Sequence, residues 1–576
     1  MFGHVRRMRY HVLACDYDGT IALQGRVNEK MLAALDRMKA SGRKLILVTG
    51  REMDDILSIF PEISLFERVV AENGAVLYRP ASREEKLLGE RPTDQFVQAL
   101  RERSIHPLSV GRVIVDTCQP NETKVLETIR DLGLELQLIF NKGSVMVLPP
   151  GINKASGLNT ALEEIGFSPH NTVGIGDAEN DHAFLDLCEC SVAVANALPM
   201  IQERADFVTA KDHGEGVIEL IDRLLASDLR ELESQLVRHH LLLGMTDDQR
   251  EVRLTPYGRN ILVSGASGSG KSTFAAAFLE QLTEMKYQFC IIDPEGDYST
   301  LEKAIVLGDK HTPPDPHEVM KILDKPGQNV VVNMLGVPLK DRPLFLQTFL
   351  PRLHELRTSI GRPHWVLLDE IHHMAPSSYE GSPVLLDQDR HSLMMITVHP
   401  GRVSPAVLSA VDVIVAIGER PEQVFQDFSQ SLGQSSPQVT SRRLEPGQAM
   451  AWFRHWGEDP FLFFPISSQA DHQRHLRKYA EGDLGPERSF YFQGPEKKLN
   501  LKAQNLTTFV QLAEGVDDET WRYHLKRGDI SDWFRRSIKD EGLASDAGKI
   551  ENMDTPPEES RRLIKKAIEG RYTLPS

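Results

Sequence analysis

Val12-Leu13-Ala14-Cys15-Asp16-Tyr17-Asp18-Gly19-Thr20 runs an apolar stretch of strand character into two carboxylates spaced by one residue, then a glycine and a hydroxyl. In an extended exit from the strand, Asp16 and Asp18 can both approach one metal-bound phosphate. One carboxylate attacks phosphorus to form an aspartyl-phosphate, and the second protonates the leaving oxygen and then activates water. Gly19 and Thr20 permit the tight turn that follows. An isolated Asp-x-Asp is more often a solvated turn, so the reading depends on what accompanies it further along the chain.

Three elements accompany it. Val48-Thr49-Gly50-Arg51 ends a second strand with a hydroxyl and a flexible backbone that can donate hydrogen bonds to phosphate. Lys154 opens a helix, where its ammonium can neutralise phosphate charge. Gly176-Asp177-Ala178-Glu179-Asn180-Asp181 follows another strand, and its carboxylates suit a hard, octahedral cation such as magnesium. Strand candidates Val12 to Cys15, Lys44 to Val48, Arg68 to Ala71 and Thr172 to Ile175 alternate with helical stretches, which predicts a parallel sheet with helices on both faces. Residues 82–147 break this order with runs of their own, Gly111 to Val115 and Glu135 to Phe140, and read as a small α+β insertion, a cap.

This ordered set resembles the haloacid dehalogenase superfamily, and within it the Cof-like sugar phosphatases, over about residues 8–226. Asn73-Gly74 matches that branch too. The resemblance implies a Rossmann-like core with Asp16 as nucleophile and Asp18 as general acid and base. Thr49, Gly50, Lys154 and Asn180 would then bind phosphate. Asp16, Asp18, Asp177 and Asp181 would form the Mg2+ site, Asp181 in a supporting part. The identity of the phosphorylated substrate is not implied.

A second motif opens the other half. Gly265-Ala266-Ser267-Gly268-Ser269-Gly270-Lys271-Ser272 follows the strand candidate Asn260 to Ser264 and precedes the helix-forming run from Thr273 to Glu280. Backbone amides of such a loop cradle phosphates, Lys271 reaches the β- and γ-phosphates, and Ser272 ligates magnesium. The ATP-binding residues expected are Gly265, Ser267, Gly268, Ser269, Gly270, Lys271, Ser272 and Thr273. Further on, Trp365-Val366-Leu367-Leu368 ends in Asp369-Glu370, where Asp369 would hold magnesium and Glu370 polarise the attacking water. Other strand candidates are Gln288 to Asp293, Asn329 to Asn333, Leu393 to Val398 and Val411 to Ile417.

Together with Asp293-Pro294-Glu295-Gly296-Asp297-Tyr298 and Thr397-Val398-His399-Pro400-Gly401-Arg402, these residues resemble the HerA/FtsK superfamily of ring-forming translocases, closest to HerA, over about residues 240–468. That implies a RecA-like core, ATP as substrate, a homo-hexamer and DNA as a partner. Thr397 or His399 would take the place of the γ-phosphate sensor, where the family more often has glutamine. Arg352, Arg402, Arg420 and Arg442 are candidates for an arginine supplied to a neighbouring subunit, with Arg357 and Arg443 behind them. Adjacent His372 and His373 read as loop residues rather than metal ligands.

Composition bounds the rest. A chain of 576 residues is too long for one core. No apolar run approaches the roughly 20 residues needed to cross a bilayer, and no export signal precedes Asp16, so a cytoplasmic protein without a membrane partner is expected. The 5 cysteines show no paired CxxC motifs and read as reduced thiols. A net charge of −16 excludes a protein that coats nucleic acid over its whole surface, though not a local basic pore.

The expected organisation is multidomain α/β: phosphatase at 1–227, connector at 228–259, ATPase core at 260–468, linker at 469–500, and a C-terminal helical domain at 501–576. Helical runs there are Leu506 to Leu512, Thr520 to Lys526, Ile530 to Asp540 and Glu558 to Glu569. The function expected is a bifunctional hydrolase, a phosphatase coupled to a HerA-like ring ATPase of translocase or helicase type, with defence or repair as a setting by analogy. Two alternatives stand beside it: an end-processing enzyme like polynucleotide kinase/phosphatase, and a phosphatase regulated by a nucleotide-gated oligomeric scaffold.

Overall fold

The computed structural model describes residues 8–266, 268–378, 392–439, 443–457, 459–468, 488–495, 499–538 and 540–571. Val12–Cys15 lies near the middle of an eight-stranded sheet, paired in parallel with Lys44–Val48 on one side and Thr172–Gly176 on the other. All four of its residues are buried, as a strand covered on both faces requires. Arg68–Ala71, Cys190–Ala193 and Phe207–Val208 extend the parallel part, and the antiparallel Val76–Arg79 and Glu84–Leu87 close one edge. Parallel pairing puts Asp16, Thr49 and Asp177 at the same, carboxyl-terminal edge of the sheet, where open α/β folds place their ligands.

The cap is smaller than the sequence reading drew it, because Glu84–Leu87 belongs to the core sheet. It consists of helices Asp94–Glu102 and Glu122–Asp131 on a four-stranded antiparallel sheet of Ser109–Val110, Val115–Cys118, Gln137–Asn141 and Ser144–Leu148. The expected strand from Gly111 begins only at Val115. A core residue takes the amides such a strand would use: buried Glu72 accepts from the backbone N–H groups of Arg112, Val113 and Ile114 at 2.9, 2.8 and 3.0 Å. A carboxylate holding three amides is a strong, charge-assisted anchor, and it docks the cap on the core.

The second half is an eleven-stranded sheet. Its parallel strands run in the order Val413–Ile417, Ile261–Ser264, Leu393–Thr397, Trp365–Leu368, Phe289–Asp293, Val330–Asn333 and Ile305–Leu307. Leu393–Thr397 therefore separates the strand that feeds the glycine-rich loop from the one that feeds Asp369. Residues 241–254, expected as connector, form a hairpin of Leu241–Met245 and Glu251–Leu254 whose first strand pairs with Phe461–Pro465 at the antiparallel edge of this sheet. Only the short stretch from Asp228 to His240 spans the two halves.

The C-terminal helices Leu506–Gly515, Asp518–Arg527, Glu541–Glu551 and Pro557–Glu569 pack with a small hairpin of Leu501–Ala503 and Phe490–Phe492, the latter strand falling within the expected linker. Phe490, Phe492, Phe509, Trp521 and Trp533 are its core. On the last helix, Arg561, Arg562 and Lys565 pair with Asp518, Glu559 and Glu514, leaving little unpaired positive charge for a phosphate backbone.

A buried polar junction binds the two halves. Glu189 accepts from Arg9 Nη2 at 2.6 Å and from the Tyr287 hydroxyl at 2.8 Å, and lies 2.7 Å from His170 Nδ1. His170 Nε2 in turn faces the carbonyl of Met285, just past the helix that begins with Lys271. Beside it, buried Arg362 of the second half donates to the carbonyl of Gly166 in the first at 2.7 Å. Burial opposes ionisation of Glu189, yet the His170 bond and the charge of Arg9 hold its carboxyl well below the ordinary range. Its contribution is therefore present above the pKa of an unfolded glutamate and is lost only in strong acid. Glu189→Ala leaves the Arg9 guanidinium buried without its partner, a cost of about 3–5 kcal/mol. We expect a lower urea midpoint and new protease cleavage between 228 and 240; an unchanged midpoint and digestion pattern would show that the junction is not needed.

Candidate active sites

The first site is a cleft of about 620 Å³ between the core sheet and the cap. Lys154, the first residue of its helix, is almost wholly buried and donates to Asp16 at 2.6 Å and to Asp181 at 2.5 Å. Asp181 Oδ2 accepts the amides of Asp177 and Ala178 at 2.8 and 2.9 Å, which folds the Asp177–Asp181 loop back on itself. Ligand atoms of Asp16, Asp177 and Asp181 all lie within 4.8 Å of one another. Burial, then the charge of Asp181, pushes the Asp16 carboxyl up to about 8 even though Lys154 pulls it down, and burial likewise raises Asp177. The hard oxygen donors of these three buried carboxylates fit a magnesium ion, whose charge would favour their ionised forms.

Close approach fixes the glycine of the motif. Gly19 has φ +87°, and a Cβ there would lie 2.3 Å from Asp177 Oδ2. Asp18 stands apart from the three-carboxylate group: Arg51 holds it as a two-pronged ion pair at 2.5 and 2.7 Å. Asp18 lines the cleft but does not join the three carboxylates that could share one cation. Gly50, Lys154 and Asn180 line the cleft, and Asn180 is oriented by a 3.0 Å bond to Asn73. Thr49 lies behind them, its hydroxyl accepting the amide of Arg51 at 3.1 Å.

Sequence reasoning missed Arg51 as a partner of Asp18, and it missed Lys142. At the tip of the cap hairpin, Lys142 reaches across to Asp177 Oδ2 at 2.7 Å. Asp116, Asn141, Ser144 and Met146 of the cap complete the far wall. Only the Lys142-Gly143 turn signal between two strands hinted at this reach. Gly19→Ala should lower phosphatase turnover by about 10²-fold or more, the scale of a 1 Å misplacement of reacting groups, while leaving ATP hydrolysis unchanged. Phosphate release measured in the two assays checks this, and equal loss in both would point to misfolding instead.

The second site lies at the carboxyl-terminal edge of the second sheet. A Cβ on Gly265 would meet the Ile417 carbonyl at 1.8 Å, and Gly270 has φ +105°, so the loop demands glycine at both. Lys271 Nζ rests on the carbonyls of Gly265 and Ala266 at 3.0 and 2.9 Å, folded into the loop that would receive phosphate. Gly268, Ser269, Ser272 and Thr273 belong to the same loop and helix start, whereas Ser267 lies outside the described residues. Asp369 is buried, and burial with the charges of Asp293 and Glu370 drives its carboxyl well above the ordinary range. A buried carboxylate among other acids is suited to a cation, which Ser272 and Asp369 would hold.

Glu370 follows in the left-handed region, φ +42°, with its amide on Asp369 Oδ1 at 2.9 Å. Such strain in a residue other than glycine costs of order 1–3 kcal/mol and collects at functional positions. Of the sensor candidates, Thr397 is buried at the end of the strand between the loop and Asp369, while His399 is exposed. Thr397 Oγ1 accepts the His399 amide at 3.1 Å and lies 3.0 Å from His372 Nδ1. His372 is therefore in the site, not on a free loop. Arg352, Arg402 and Arg420 are exposed, as a residue offered to another subunit must be. Arg357 is buried and bonded to the His364 carbonyl at 2.9 Å, a structural role, and Arg442 lies outside the described residues.

Comparison with known proteins gives each half a relative. Residues 13–113 and 110–221 match the family of haloacid dehalogenase-like hydrolases, and residues 243–341 match the central domain of helicase HerA. The latter span holds the glycine-rich loop and Asp293 but stops short of Asp369. A phosphoglycolate phosphatase of Methanothermobacter thermautotrophicus is 32% identical over 222 residues, covering 37% of this chain and 98% of that one. Phosphoglycolate phosphatase 2 of Saccharolobus solfataricus is 30% identical over 227 residues, covering 38% and 93%. Among solved structures, a haloacid dehalogenase-like hydrolase from Bacteroides thetaiotaomicron aligns with 38% of this chain and all of its own at 19% identity and a TM-score of 0.34. Through its first 220 or so residues the chain belongs to the haloacid dehalogenase-like hydrolases, as a phosphatase domain that carries a HerA-like ATPase domain behind it.

Proposed function

We propose that the chain is a bifunctional hydrolase, a magnesium-dependent phosphatase acting through an aspartyl-phosphate and a ring ATPase that moves DNA, working in the cytoplasm. The observation that carries the first half is the convergence of Asp16, Lys154, Asp177 and Asp181 under the cap. Magnesium, when bound, supplies charge neutralisation for the phosphoryl oxygens. Lys154 adds a fixed positive charge beside Asp16 and keeps that carboxylate aimed into the cleft. An Asp16 oxygen attacks phosphorus, the bond to the leaving oxygen breaks, and Asp18 gives that oxygen its proton. Asp18 then takes a proton from water, which attacks phosphorus and frees Asp16 and inorganic phosphate. Arg51, forked onto Asp18, sets its orientation for both steps.

The relatives' substrate makes phosphoglycolate the first compound to test. Its carboxylate needs a cation in the cleft, where Arg51 lines the wall although paired with Asp18 and Asp55. For the second half, the support is the sheet order, which sets Thr397 between the glycine-rich loop and the Asp369-Glu370 pair. Exposed Leu335, Leu339 and Leu344, just past the strand Val330–Asn333, favour a neighbouring copy packed there, as in a homo-hexamer.

A panel of phosphoglycolate, sugar phosphates, nucleotides and 3′- or 5′-phosphorylated DNA, assayed with and without ATP, tests the phosphatase and its coupling together. We expect turnover of a small phosphomonoester that EDTA abolishes and magnesium restores. Asp16→Asn should remove this activity and spare ATP hydrolysis; phosphatase turnover by that variant would remove Asp16 as nucleophile. Glu370→Gln should bind ATP without hydrolysing it. ATPase stimulated by DNA in particles of hexamer mass supports the motor, and ATP-dependent assembly without stimulation contradicts it.

A further inference from the structure

His372 occupies a position that the two acids before it do not explain. The left-handed turn at Glu370 reverses the chain, so the short helical turn Ile371–His373 lays the His372 ring back over the end of the sheet. There its Nδ1 lies 3.0 Å from Thr397 Oγ1 and 3.3 Å from Glu370 Oε2. The side chain is 9% exposed. We propose that His372 is a positioning residue for ATP hydrolysis, a ring hydrogen-bonded to the Thr397 hydroxyl and poised to pass that bond to the nearby Glu370 carboxylate. The proposal rests on the ATPase reading of this domain.

The chemistry of the three groups supports a bridge over a packing role. Thr397 Oγ1 already accepts the His399 amide at 3.1 Å, which fixes its rotamer and leaves the hydroxyl free to bond on the other side. One ring nitrogen faces two oxygens: its hydrogen bond is the one to Thr397, and Glu370 Oε2 stands at ion-pair distance outside hydrogen-bond geometry. Whatever engages the Thr397 hydroxyl, a phosphate oxygen included, therefore changes what His372 gives to Glu370. Burial, followed by the charges of His373, His399, Arg402 and Lys271, pushes the imidazole down to about 4. Near neutral pH it acts as an uncharged donor or acceptor and does not compete with Lys271 for phosphate. Thr397 belongs to the strand beside the one that feeds the glycine-rich loop, so the bridge runs from the phosphate side of the site to the carboxylate that handles water.

The test compares steady-state ATP hydrolysis by the full chain with that of His372→Ala, His372→Phe and His372→Gln, alongside Thr397→Val and the His372→Ala/Thr397→Val double variant. Phosphatase turnover of each preparation reports folding. We expect kcat to fall by about 10–100-fold in the Ala and Phe variants, the scale seen when the orienting partner of a reacting group is removed. KM for ATP should stay within a few-fold, because the bridge touches the water side of the site. Glutamine, whose amide can donate at the same place, should recover most of kcat, and the double variant should lose no more than the worse single one. Full kcat in His372→Phe, or losses that multiply in the double variant, would overturn the bridge. Failure of the unsubstituted chain to hydrolyse bound ATP would overturn the ATPase reading and the bridge with it.

Discussion

Negative charge buried at the carboxyl-terminal ends of two parallel sheets is the constraint around which this chain is arranged. Asp16, Asp177 and Asp181 in the first half, and Asp293 and Asp369 in the second, are each almost wholly buried. A carboxylate in that position is stable as an anion only with a partner cation or a set of aimed amides. The chain supplies both. Lys154 is threaded between Asp16 and Asp181, four backbone amides close on Asp293, and the remaining charge sits where a phosphate-bound cation would come. The glycines of both loops follow from the same demand, since Gly19 and Gly265 each stand where a side chain would strike the opposing strand end or its carboxylate.

Much of this was legible in the sequence because the signals are local. Apolar runs that end in Asp16, Thr49, Asp177, Ser264 and Asp369 locate strand ends directly, and parallel pairing then gathers those ends on one edge. What could not be read depended on contacts between distant segments. The strand expected from Gly111 is forestalled by Glu72, some forty residues earlier, which takes its amides. Residues 241–254, whose polar run Thr246 to Arg250 reads as a connector, become a strand pair because Phe461–Pro465 offers them an edge. The insertion of Lys142 over Asp177 and of His372 beside Thr397 depends on turn geometry at left-handed residues, and neither side chain carries a pattern that marks it.

The junction between the halves belongs to the same class of features. Arg9, His170, Glu189, Tyr287 and Arg362 are scattered across the chain, and none sits in a motif. Their bonds nonetheless join the base of the strand leading to Asp177 with the end of the helix that begins at Lys271. The two hydrolytic sites thus share a buried polar contact in addition to the connecting chain. Covalent fusion alone would leave them free to move independently; the bonds of Tyr287 to Glu189, of His170 to the Met285 carbonyl and of Arg362 to the Gly166 carbonyl cross from one half to the other.

The central claim is that Asp16 carries the phosphoryl group during turnover. Rapid acid quenching of the protein with magnesium and a radiolabelled phosphomonoester, followed by peptide mapping, tests it directly. Label is expected on the peptide containing Asp16, released by hydroxylamine as an acyl phosphate is, with none in Asp16→Asn. Label on any other residue, or steady turnover with no labelled protein at quench times shorter than one cycle, would contradict it.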